Sequence, residues 1–126
     1  MPIIEYDNYK QKLSAMEPEL QKLSAALNLD SARHEIARLE AEAAVDGFWN
    51  DRENSQKVLQ RTKQLQNKVT KYDRLVGQWE DLTTLVEMAI EEEDDSLLEE
   101  VTESYTALES AVEEANLATL LSGEYD

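Results

Sequence analysis

The stretch VDGFWNDRENSQ, residues 45–56, decides how the rest of the chain is read. The 126-residue sequence holds one phenylalanine and two tryptophans, and Phe48 stands directly beside Trp49. Gly47 precedes the pair; Asn50 and Asp51 follow it. Glycine ends helices because it enters left-handed backbone without steric cost, and Asn or Asp begins them by accepting orphan amide hydrogens. The stretch is therefore an elbow. Gly47 closes one helix, and Asn50 with Glu53 three positions later makes a capping-box-like start for the next. Phe48 and Trp49 fall between, where rings can plug the gap between diverging helices. Both are expected to pack there, with contact to a ligand as the competing reading.

Upstream of the elbow, Tyr6, Tyr9, Leu13, Met16, Leu20, Leu23 and Leu27 step by three and four, a heptad stripe. Pro18 lies off that stripe, where it removes one donor and is expected to kink the helix on its solvent side. LNLDSA, residues 27–32, reads as a break with Asp30 or Ser31 as N-cap. A shorter helix then turns Ala32, Ile36, Leu39 and Ala43 to one face.

Downstream, Val58, Leu65, Val69, Tyr72, Val76, Trp79, Val86 and Ile90 share a stripe whose polar gaps fall at Thr62 and Thr83. No proline interrupts residues 51–92. A helix of roughly 40 residues would be roughly 60 Å long, too long for a compact globule. It is expected to be half of an extended hairpin. EEEDDS, residues 91–96, is the next break, with Ser96 and Glu99 as a capping box and Asp94 and Asp95 beside the positive helix end. A last helix carries Leu98, Val101, Tyr105, Leu108, Val112 and Ala115 and stops near Ser122 and Gly123. The expected fold is all-α: an elongated bundle of about four helices with a long antiparallel hairpin and coiled-coil-like packing.

Composition agrees. Three glycines and two prolines supply few turns, and no cysteine is present, which removes disulfides, thiolate nucleophiles and zinc–thiolate sites. The start lacks the layout of a signal peptide, and no apolar run is long enough for a bilayer. The expectation is a cytoplasmic protein with no membrane partner. The formal charge of −16 is lopsided: residues 1–74 are neutral, whereas residues 75–126 hold 16 acidic side chains and neither lysine nor arginine. That half repels phosphate and can attract a basic protein, although a solvated face explains the same charge.

Little of this chemistry resembles an active site. In ARHEIARLE the zinc-protease pattern fails, because Arg38 stands where a second histidine would follow His34. The acidic run lacks the spacing and central glycine of a calcium loop. No glycine-rich phosphate cradle is present. Catalytic, cofactor-binding and metal-binding residues are all expected to be absent, and so is any cofactor. Two charged surfaces remain. Lys57, Arg61, Lys68 and Lys71 recur on one side of the long helix and could approach RNA, or be solvated or paired with acids of the first helix. Residues 87–100 form an acidic tip that crowds Glu91, Glu92 and Glu93 at a helix C-terminus, where the dipole disfavours them.

GFWNDRENSQKV, the helix after it, the acidic turn EEEDDSLLEE and the close LLSGEYD together resemble the N-terminal helical domain of the bacterial peptide chain release factor two family. Nearly the whole chain takes part in the resemblance. It implies a class I factor that decodes UGA and UAA and triggers peptidyl-tRNA hydrolysis on the ribosome. The family's catalytic GGQ loop and its codon-reading serine-proline-phenylalanine tripeptide do not occur here. The resemblance thus implies a first domain standing alone, residues 1–121, with residues 122–126 opening a connector to downstream domains. Such a domain would not be an enzyme. It would be a monomer that meets a stalk-base ribosomal protein and nearby ribosomal RNA, and that communicates with the GTPase recycling release factors. The whole factor would meet the stop codon and the peptidyl-tRNA site. Residues 48–51 would be structural in that family, and no contact residue carries over. An unrelated acidic coiled-coil adaptor that dimerises through the same stripes is the alternative.

Overall fold

Four helices carry the chain in a computed structural model that describes residues 3–122: α1 (Ile4–Ala26), α2 (Leu29–Ala43), α3 (Arg52–Glu92) and α4 (Leu98–Leu121). Single 3-10 turns, Phe48–Asn50 and Asp95–Leu97, precede α3 and α4. No strand occurs among the described residues. The all-α bundle expected from the heptad steps is what forms. Of the expected connector, residues 122–126, all but Ser122 lie outside the described residues.

The chain divides into two compact units, residues 27–73 in one, and residues 1–26 with 74–126 in the other. In the first, α2 and the opening turns of α3 close on a core of Ala32, Leu39, Phe48, Val58 and Leu65, bordered by Ile36, Ala43 and Val69. These are the positions that three-and-four spacing selects on α2 and early α3. Phe48, 7% exposed, is the plug of the elbow. Trp49 is not: 63% of it is exposed, and its ring stands edge-on to Phe48 at 5.1 Å and 88°. The correction has a backbone cause. A 3-10 turn advances each residue by about 120°, so neighbours Phe48 and Trp49 leave it in different directions.

In this unit two caps differ from the expected ones. α2 begins at Leu29, before Asp30 and Ser31, because Asn28 takes left-handed backbone at φ 53° and its carbonyl accepts from the Ala32 amide at 2.9 Å. Asn tolerates that conformation where most residues do not. α3 begins after Asp51: its Oδ1 accepts from the Asn54 amide at 3.0 Å, and its carbonyl from Ser55 at 2.9 Å. Asn50 is still inside the 3-10 turn, and Glu53 instead lies 3.6 Å from Lys57 on the surface. Gly47 does not close α2, which ends at Ala43 with Ala44 as its C-cap; at φ 86° it instead supplies the left-handed residue that turns the chain into Phe48.

In the second unit, α1, the later part of α3 and α4 pack together. From α1 the buried side chains are Tyr6, Leu13, Met16, Leu20 and Leu23, the expected stripe, with Tyr9 half-buried. Pro18 sits exposed within the helix, as expected. From α4 they are Val101, Tyr105, Leu108 and Val112, again as expected. α3 departs from expectation: its most buried residues here are Leu75, Leu82, Val86 and Ala89, whereas Val76, Trp79 and Ile90 are only half-buried. The buried row moves sideways by one step after Tyr72. Two covering helices demand a broader apolar face than one, and Leu75, Leu82 and Ala89 widen it.

Polar groups at these contacts are matched. The Trp79 indole Nε1 donates to the Leu13 carbonyl at 2.7 Å. Leu13 lies one residue before Ser14, whose carbonyl has no helical donor because Pro18 lacks an N–H. Tyr9 donates to Thr102 Oγ1 at 3.2 Å, and its ring lies 5.3 Å from that of Tyr105. Lys12 Nζ sits 5.5 Å and 5.6 Å from those two ring centroids, a shared cation–π contact.

Candidate functional site

Three surfaces singled out in the sequence can now be placed. The acidic turn is the most structured. α3 ends on a Schellman motif: the Glu93 amide donates to Ile90 O at 3.2 Å and the Asp94 amide to Ala89 O at 3.1 Å. Glu93 occupies the left-handed position usually held by glycine, at φ 49°. Next, Asp94 caps the following turn. Its Oδ1 accepts from the Ser96 amide at 3.0 Å and from Ser96 Oγ at 2.6 Å. Ser96 thus donates to a cap rather than being one, and Leu97 precedes α4 with no side-chain cap. Hydrogen bonds from the Ser96 hydroxyl and amide hold the Asp94 carboxyl below its ordinary pKa.

The turn is tied to α1. Tyr6 Oη, on a side chain 1% exposed, donates to the Asp94 carbonyl at 2.6 Å. Burial raises the Tyr6 pKa, and the nearby charges of Asp94 and Asp95 raise it further. Glu91, Glu92, Glu93 and Asp95 remain exposed around this anchored backbone. The arrangement presents carboxylates to solvent at a fixed backbone position.

The basic stripe of early α3 is largely engaged. Arg61 reaches both carboxylate oxygens of Glu35 on α2, with its Nε and Nη2 each at 3.2 Å. These bonds, led by the guanidinium hydrogen bond, lower the Glu35 pKa. Lys57 pairs with Glu53, and Lys68 Nζ donates to the Leu27 carbonyl at 3.0 Å. Pairing with acids was one of the readings open in the sequence, but the partner of Arg61 lies on the second helix and not on the first. Lys71 is exposed. A stripe held this way offers few free charges to phosphate.

His34 is exposed, and its Nδ1 lies 2.7 Å from the Asp30 carbonyl. Among the described residues, no cluster of His, Cys, Asp and Glu could hold a metal ion, and no helix is long and apolar enough to cross a membrane. The third surface is the elbow, where Trp49 and Val45 are exposed above buried Phe48. Sequence spacing did not separate the exposed tryptophan from the buried phenylalanine.

A helical hairpin with this elbow and this capped acidic turn has known relatives. The family model described as the PCRF domain matches residues 32–126, and the chain belongs to that family. Peptide chain release factor 2 of Streptomyces avermitilis is 39% identical over 116 residues, which covers 92% of this chain and 32% of that protein. Its counterpart from Exiguobacterium sp. is 36% identical over 123 residues, covering 98% and 34%. The Clostridium perfringens protein of the same name is 32% identical over 124 residues, covering 98% and 34%. The chain spans about a third of the length of the curated relatives it matches. The resemblance carried by the elbow and the acidic turn is therefore real.

Proposed function

We propose that this chain serves a class I peptide chain release factor in translation termination at UGA and UAA codons, as the part that binds and positions the factor on the ribosome. The observation that carries this reading is the PCRF match over residues 32–126, together with relatives named peptide chain release factor 2. The reading makes the chain non-catalytic: residues 1–121 work as one docking domain, and residues 122–126 begin the connector. Its site would be the base of the ribosomal stalk, in the cytoplasm, against a stalk-base protein and neighbouring ribosomal RNA, within reach of the GTPase that recycles release factors.

What supports docking over chemistry is the disposition of side chains. Among the described residues the carboxylates lie at the surface or cap turns, and Lys57, Arg61 and Lys68 of α3 are held by intrachain partners. Neither arrangement brings an acid, a base and a nucleophile together in a cleft.

A domain exchange tests the reading. The matching segment of a full-length release factor 2 is replaced by residues 1–126, and peptide release is followed on ribosomes programmed with UGA, UAA and UAG. The expected result is release at UGA and UAA but not UAG, with no release by the isolated chain. A folded chimera that associates with ribosomes no better than the same factor lacking this segment would overturn the docking role.

A further inference from the structure

We propose that the groove between α3 and α4 seats the apolar face of a basic amphipathic helix from a partner protein. The groove has a volume of about 400 Å³. Buried Leu82 and Leu108 form its floor, and half-buried Leu85 with exposed Ala107 adds apolar surface that a partner can reach. Ala107 lines the groove with a single methyl group, so a longer side chain there competes with an occupant for the same space. Exposed Asp81 on α3 and Glu100 on α4 stand one on each wall. An apolar floor between carboxylate rims suits an amphipathic helix whose leucine-like face is bordered by lysine or arginine.

Charge selects among occupants. Residues 75–126, which supply every wall of the groove, hold 16 acidic side chains and no lysine or arginine. Nucleic acid and anionic lipid are repelled by such a surface, and so is the same face of a second copy. A cationic helix is attracted, and burying its apolar face supplies the short-range term that charge lacks. The proposal rests on the groove and its charge and not on the ribosomal reading, so either can fail without the other.

The test uses the 126-residue chain and two synthetic helical peptides of equal positive charge, one with leucine at i, i+4 and i+7 and one with serine there. Binding is measured by calorimetry, with chemical shifts read at Leu85 and Ala107. The leucine peptide is expected to bind and to shift both residues, and the serine peptide to bind at least about tenfold more weakly. Ala107→Gln, which leaves charge and helix intact, is expected to weaken binding about tenfold. Asp81→Asn with Glu100→Gln is expected to weaken it about fivefold, while Glu113→Gln with Glu114→Gln, the same charge change elsewhere on α4, changes it less than about twofold. Circular dichroism confirms that each variant folds. Equal binding of the two peptides, indifference to Ala107→Gln, equal effects of the two charge pairs, self-association through the groove, or no binding would each overturn the proposal.

Discussion

Tyr6 of α1 and Asp94, 88 positions apart in sequence, are joined by a 2.6 Å hydrogen bond from the phenol to the main-chain carbonyl. The bond places the start of α1 against the acidic turn and gives a buried hydroxyl its partner. A side chain that ties backbone in this way holds the turn more firmly than the exposed charges around it can. Tyr6→Phe keeps the ring and deletes the bond, leaving the carbonyl short of a donor. The variant is expected to lose about 1–2 kcal/mol in urea unfolding, with an unchanged m-value.

The same tyrosine predicts a loss of stability in alkali. Its folded pKa is raised above the ordinary 10.0 by burial and by Asp94 and Asp95. Its contribution is therefore complete below pH 10 and is lost as pH rises through the folded value. Tyr105, raised by burial and by Glu109, acts in the same direction. Unfolding midpoints should fall above pH 10, and the slope should be shallower in Tyr6→Phe.

The elbow makes a sharper distinction than its two adjacent rings suggest. Phe48→Ala empties a site that is 7% exposed and is expected to cost about 3–5 kcal/mol. Trp49→Ala removes a ring that is 63% exposed and loses chiefly its edge contact with Phe48, about 1 kcal/mol. Thermal melts of the two variants measure the difference.

This distinction also shows where the sequence stops informing. Heptad spacing identified the inward faces of α1, α2 and α4, because on each of them the buried side chains fall on a single apolar row. It missed Leu75, Leu82 and Ala89 on α3, where two helices cover a wider face and a single row undercounts it. It also missed the termini that use less favoured residues. Glu93 does what glycine usually does at a helix end, and Asp51, not Asn50, caps α3 because a 3-10 turn absorbs one more residue. For the surfaces, charge was legible but its engagement was not: the Arg61–Glu35 pair depends on how α2 lies on α3.

Glu93 offers a gain of stability. Its left-handed backbone, φ 49°, strains any side chain with a Cβ, and Glu93→Gly relieves that strain. Chemical denaturation should show a gain of about 1 kcal/mol. Glu93→Val, with a branched Cβ in the same conformation, should lose stability.

The Arg61–Glu35 pair is bidentate but half open to water, so its worth is small. A double-mutant cycle with Arg61→Met and Glu35→Gln should return about 0.5 kcal/mol of coupling at low salt, less at high salt. Glu35 has a lowered pKa, so this coupling is present above pH 4.5 and is lost as pH falls through the folded value.

The central claim is that the apolar seams close within one chain, and the mass of the particle in solution tests it most directly. Sedimentation equilibrium across the micromolar range should give a single species near 14.4 kDa that stays helical on dilution. A mass that doubles with concentration, with helicity lost as the larger species dissociates, would contradict it.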